Sequence, residues 1–337
     1  MHMADALLSP VVGASMWGVA AATIAYSSRK VAKAIDDRRI PLMGILGAFV
    51  FAAQMINFTI PGTGSSGHIG GGLLLAILLG PHAAFLTLAS VLIVQALFFA
   101  DGGLLALGCN IVNLGIFPCF IAYSFFYEKL AGDGAVRGRV ISAAIIAAVV
   151  GLQLGSLSVV AQTVTSAVTE LPFTTFALVM QPIHLAIGVV EGVATAAVVL
   201  FIAKARPDIL QATSQLQTGE KSLRRIGIAL LLVTVLTAGF LSWYGSELPD
   251  GLEWSIAKVT GTAELEAPDA GLHRVADELQ QKTALLPDYA LPDKAGDGRA
   301  GATLSGVTGS ILVLLLTGGG AFILRRKNHK VTATTKR

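Results

Sequence analysis

Most of the chain is built from long, uninterrupted apolar runs separated by short polar segments. There is no strict alternation of apolar and polar positions, the pattern of a half-buried strand. A helix that crosses a bilayer needs about 20 apolar residues, and residues 11–27, 42–58, 82–99, 104–127, 140–163 and 176–203 each read as one such helix. Residues 73–79 form a shorter run that stops at Gly80-Pro81, where proline ends a helix. The pattern changes at Pro207: residues 208–222 are polar, 226–243 are apolar again, 244–302 are hydrophilic, and 304–324 form a last apolar run. The fold predicted is all-α: a polytopic membrane protein with a seven-span bundle, followed by a two-span C-terminal hairpin that carries an external domain.

Basic residues set the orientation, because Lys and Arg accumulate in cytoplasmic loops. The first run is followed by Arg29, Lys30, Lys33, Arg38 and Arg39, which places that loop inside and Met1-His2 outside. The second run returns the chain outward, so the loop that carries His68 lies on the same side as Met1-His2. Lys129, Arg137 and Arg139 are next inside, which requires an odd number of crossings after His68; the short run 73–79 is counted as the first of three. Lys204 and Arg206 close the bundle on the inside. Arg224-Arg225 and Arg325-Arg326-Lys327 bracket the hairpin, which leaves the loop 244–303 outside and the C-terminus in the cytoplasm. Three parts follow: a membrane bundle over 1–206, a cytoplasmic linker over 207–225, and a hairpin module over 226–337.

Composition agrees. Hydrophobic residues make up 54% of the chain and charged residues 13%, with a mean hydropathy of +0.71, whereas a soluble domain carries about 25% charged residues. The net charge of +3 comes from basic residues at span ends, so it does not point to nucleic acid. Cys109 and Cys119 lie in apolar stretches without CxxC spacing, as expected of buried, inert thiols. Residues 1–10 contain no basic n-region, so no cleavable leader is expected.

The chemistry is concentrated at Met1-His2 and at His68, within the glycine-rich run Gly64 to Gly72. A free α-amine, the His2 amide nitrogen and the His2 Nδ1 can close around one ion, in one five-membered and one six-membered chelate ring. A second imidazole such as His68 completes a plane of four nitrogens, which suits Ni(II) or Cu(II), and cobalt also accepts nitrogen. His2 is bulky, so Met1 is expected to be retained. Polar residues inside spans usually face a bundle interior. Gln54 and Asn57, and Asn110 and Asn113, are read as same-face pairs that bond between helices, and His184 and Glu191 as a structural pair on one helix face. His82, His273 and His329 read as an interface, a surface and a tail residue. The sequence contains no GxxxxGK[ST] phosphate loop, so ATP, if used, is hydrolysed by other polypeptides. A metalloprotease-like HExxH is also absent, and a secondary metal/proton antiporter would have only His184 and Glu191 for its relay.

Residues Met1-His2-Met3-Ala4-Asp5-Ala6-Leu7-Leu8-Ser9-Pro10, the stretch from Gly64 to Pro81, and Gly108-Cys109-Asn110-Ile111-Val112-Asn113-Leu114-Gly115 resemble the CbiM/NikM family. Its members are substrate-capture components of energy-coupling-factor (ECF) transporters for cobalt and nickel. Leu248-Pro249-Asp250-Gly251-Leu252-Glu253-Trp254-Ser255 resembles the PDGL motif of the small partner subunit CbiN/NikN. The resemblance implies a fusion of the two components, with metal ligands at Met1, His2 and His68. It implies a non-enzymatic protein of the bacterial inner membrane, surrounded by lipid and lacking an organic cofactor. Its partners would be a transmembrane coupling (T) component and separate ATPase subunits. Ni(II) is the expected cargo and Co(II) the alternative.

Overall fold

In the computed structural model, residues 2–34, 39–132, 136–205, 220–291 and 298–334 are described; Met1 and most of the 207–225 linker lie outside them. The chain is predominantly helical: α1 (Pro10–Ala34), α2 (Arg39–Gln54), α3 (Gly72–Leu79), α4 (Pro81–Phe99), α5 (Leu107–Ala131), α6 (Arg137–Ser166), α7 (Phe173–Ala205), α8 (Glu220–Gly239), α9 (Gly251–Thr260), α10 (Gly271–Thr283) and α11 (Arg299–Thr334). Among the described residues, six of these helices are long and apolar enough to cross a membrane: α1, α4, α5, α6, α7 and α11. Two shorter apolar helices, Ile40–Gln54 and Gly227–Gly239, account for the other two full-length runs seen in the sequence.

The short run behaves differently. Helix α3 has eight residues, seven of them buried, and at 1.5 Å per residue it rises only about 12 Å. It is an interior half-helix, turned into α4 at Gly80-Pro81, with Pro81 at the first helical position where its missing N–H costs nothing. Both α3 and α4 are apolar on all sides because the other helices enclose them. Along 112–127, α5 is wound wider than an α-helix: the Glu128 N–H reaches the Tyr123 carbonyl five residues back, and Pro118 lies inside this stretch.

Helices α6 and α7 pack along their lengths, while α11 and α8 close against α2. The Val313 side chain of α11 is wholly buried there and Gly309 sits directly against the Phe51 ring, so the C-terminal helix belongs to the same apolar core as the bundle. Two details differ from the sequence reading. Helix α2 ends at Gln54, so Asn57 lies beyond it and the two residues do not share a helix face. The loop before His68 is also partly regular: β1 (Phe58–Ile60) and β2 (Ser65–Gly67) pair antiparallel, with Phe58 opposite Gly67 and Ile60 opposite Ser65.

Candidate metal centre

The N-terminal segment is pinned rather than frayed. Met3 is fully buried; its N–H donates to Asn110 Oδ1 at 2.8 Å and its carbonyl accepts from Asn110 Nδ2 at 3.2 Å. Asp5 Oδ1 accepts the Ala106 N–H at 2.9 Å. His273, read from the sequence as a surface residue, is buried, and its Nε2 donates to the Leu8 carbonyl at 2.8 Å. Asn113 and Gln162 exchange two amide hydrogen bonds, at 2.8 and 3.0 Å, the interhelical bonding expected of that residue. These contacts from α5, α6 and α10 fix where His2 stands.

The chain around His68 is held from below. Glu191, 1% exposed on α7, accepts the Gly70 N–H at 2.9 Å and the Gly71 N–H at 3.0 Å. Gln54 Nε2 donates to the Gly70 carbonyl at 2.8 Å, and Gln95 in turn donates to Gln54 Oε1 at 2.9 Å. Glu191 therefore does not pair with His184, as the sequence reading had it, because two backbone donors occupy its carboxylate. Gly71 has φ +75°, and a Cβ there would lie 2.6 Å from Val50 Cγ1, so the turn into α3 requires glycine. His68 Nδ1 lies 3.1 Å from the Ile69 carbonyl oxygen, which can only accept. Nδ1 therefore carries the ring proton, and the lone pair is on Nε2. Burial pushes the His68 pKa down to about 3, which keeps the ring neutral.

His2 and His68 meet, with ring centroids 5.2 Å apart and planes inclined by 13°. His2 Nδ1 lies 2.8 Å from Asp101 Oδ1, and the Tyr289 hydroxyl donates to Asp101 Oδ2 at 2.5 Å. Burial alone would raise the Asp101 pKa, but the adjacent His2 ring and the Tyr289 hydroxyl hold it below the usual carboxylate range. His2 Nε2 is buried and has no hydrogen-bond partner among the described residues. The two rings stand in the wall of a cavity of about 650 Å³ that is also lined by Asp101, Asp250, Glu253 and Tyr289. Asp250 caps α9 by accepting the Leu252 and Glu253 N–H groups, while Glu253 accepts the Asp250 N–H, a reciprocal capping box.

The PDGL segment reaches this site by docking on the β-hairpin. The Ser66 N–H donates to the Pro249 carbonyl at 2.8 Å, the Ser66 hydroxyl to the Leu248 carbonyl at 2.6 Å, and Trp254 Nε1 to the Thr63 carbonyl at 3.0 Å. Of the three residues singled out in the sequence, His2 and His68 come together and Met1 lies outside the described residues. Among the described residues no three His, Cys, Asp or Glu side chains converge tightly enough to hold an ion. The sequence reading missed Asp101 and Tyr289, which stand alone in loops with no spacing to mark them.

A multi-pass helical bundle with two imidazoles face to face on a carboxylate-lined vestibule belongs to the class of membrane proteins equipped to handle transition-metal ions. Residues 2–209 match the CbiM family, described as a cobalt uptake substrate-specific transmembrane region, and residues 224–326 match the PDGLE domain. The chain belongs to the CbiM family. It is similar to the putative fused nickel transport protein NikMN of Archaeoglobus fulgidus, at 34% identity over 94% of this chain and 96% of that one. It is also similar to the fused nickel transport protein NikMN of Rhodobacter capsulatus, at 30% identity over 93% and 95% of the two chains. A crystal structure of a transition metal transporter superposes with a TM-score of 0.54 at 32% identity, covering 65% of this chain and all of its own.

Proposed function

We propose that this chain captures Ni(II) from outside the cell as the substrate-binding component of an ECF-type transporter. The observation that carries this reading is the stacking of His2 on His68, 5.2 Å between centroids, beside a carboxylate-rich vestibule. The ligands in this reading are the Met1 amine, the His2 amide nitrogen and Nδ1, and His68 Nε2, the ring nitrogen turned away from the Ile69 carbonyl. Loading moves His2 Nδ1 from Asp101 to the ion. Four nitrogens in a plane, one a deprotonated amide, favour a low-spin d⁸ ion, and the general affinity order places nickel above cobalt. Relatives that match over nearly the full length are named for nickel transport, which supports the same choice. Cobalt remains the second reading, because a cobalt transport protein of Sorangium cellulosum is 32% identical over 62% of this chain.

In this reading a T component and ATPase subunits in trans supply the energy, in keeping with the absence of a phosphate-loop motif from the sequence. The basic loops put the N-terminus and the vestibule outside and the C-terminus in the cytoplasm. The decisive experiment is competition binding of Ni(II) and Co(II) to purified protein with a native N-terminus. We expect a yellow, diamagnetic nickel complex that is lost in His2→Ala and in His68→Ala. One residue added before Met1 should abolish it as well. Stoichiometric nickel binding by the extended protein would exclude the amine chelate, and a tenfold or greater preference for cobalt (about 1.4 kcal/mol) would exchange the metals.

A further inference from the structure

His184 lies within α7, 1% exposed, and the proposed chelate does not use it. Its Nδ1 is 2.8 Å from the Met180 carbonyl oxygen, which accepts only, so Nδ1 carries the proton and Nε2 keeps its lone pair. That Nε2 is buried with no hydrogen-bond partner among the described residues, an arrangement that native structures seldom leave unused. His184 borders a cavity of about 20 Å³ that is also lined by His68, Gly70, Asp250, Gly251 and Ile187, with room for one occupant the size of a water molecule. His68 and Asp250 line the vestibule as well. The two spaces therefore lie in series, with these two residues as the shared wall.

We infer that the inner cavity is a second, transient site for a divalent transition-metal ion, in which His184 Nε2 receives the ion passed inward from the outer chelate by way of His68. This rests on the outer chelate proposed above. A neutral imidazole whose other N–H is fixed on a backbone carbonyl is held as metal-ligating histidines are, with its tautomer and ring orientation set, and imidazole suits nickel, cobalt, copper and zinc. His184 and His68 share this arrangement, each with Nδ1 turned to a main-chain oxygen. Since no three acidic, thiol or imidazole side chains converge among the described residues, water or backbone oxygen completes the shell. The resulting site is weak, as a site that must pass its ion onward needs to be.

The test uses the full chain with its native N-terminus, titrated with Ni(II) alone and with Co(II) alone. The wild-type protein should take one tight equivalent and one weak equivalent. His2→Ala should remove the tight one and keep the weak one, and His184→Gln should do the reverse. Gly251→Ala is an independent check that leaves the imidazole intact: its Cβ would lie 3.1 Å from His184 Cε1, 3.3 Å from Nε2 and 3.0 Å from Ile187 Cδ1, obstructing the cavity. It should also lose the weak equivalent, and in both variants cellular uptake should fall about tenfold or more. A wild-type protein with no weak equivalent, or a weak equivalent that survives in His184→Gln, overturns the inference and leaves a cavity that holds water. A tight equivalent unchanged in His2→Ala would instead overturn the outer chelate, and the handover with it.

Discussion

Glu191 shows how much a single side chain determines here. Its two oxygens accept the backbone N–H groups of Gly70 and Gly71, and it is almost wholly buried. Glu191→Gln would present an NH₂ group to one of those donors, so one pair is lost and two buried donors face each other. The expected destabilisation is about 1–3 kcal/mol, read by thermal unfolding in detergent, together with weaker nickel binding because the chain after His68 loosens. Unchanged unfolding and unchanged affinity would remove Glu191 from this role. His68 itself gives a pH signature. Its pKa is about 3 in the folded chain, against about 6.5 when unfolded. Between those values only the unfolded chain takes up the proton, so acidification lowers the stability of the metal-free protein by up to about 1.4 kcal/mol per pH unit. His68→Gln should flatten that slope below pH about 6.5 while leaving the higher-pH values alone; an identical slope in the variant would contradict it. His2 and His68 were legible in the sequence because their chemistry is local: a position-2 imidazole and a histidine among glycines. Asp101 and Tyr289 were not, since each acquires meaning only from a partner far along the chain.

At the scale of elements, the β-hairpin and α3 carry the site. The hairpin's strands have three residues each, too few for an alternating pattern to register, and Ser66 and Thr63 bond across to the PDGL segment and its neighbour Trp254. The helices were legible because their apolar runs are long. The break at Gly80-Pro81 was legible from the proline, but the enclosure of α3 on all sides was not, because a run of leucines reads the same against lipid as against protein. Gly71→Ala tests this region: the left-handed φ of +75° and the contact with Val50 both oppose a Cβ. The φ penalty alone is about 1–2 kcal/mol. The expected outcome is a lower midpoint of thermal unfolding and weaker nickel binding; wild-type values for both would show that the turn tolerates a side chain.

For the whole molecule, the question is what the C-terminal module adds. Here the module contributes Tyr289, Asp250 and Glu253 to the vestibule and buries Val313 against the core. Deleting residues 226–337 should therefore preserve one nickel per chain, because the nitrogens of the proposed chelate precede the deletion, and should speed both loading and release in stopped-flow measurements because the vestibule loses a wall. Loss of stoichiometric binding in a folded deletion protein would place a ligand in the module.

The bond between His2 and Asp101 bears on which ions gain entry at all. Magnesium and calcium are hard cations that bind oxygen and gain little from imidazole, so they can visit the carboxylates of the vestibule. In the structure, however, His2 Nδ1 is already committed to a carboxylate 2.8 Å away, and that carboxylate is tied to Tyr289. Only an ion whose affinity for nitrogen exceeds the strength of that existing bond can pull the ring across. On the proposed chelate, rejection of the abundant alkaline-earth ions needs no size filter. It arises as an exchange reaction in which the wrong ion brings too little to displace the resident partner.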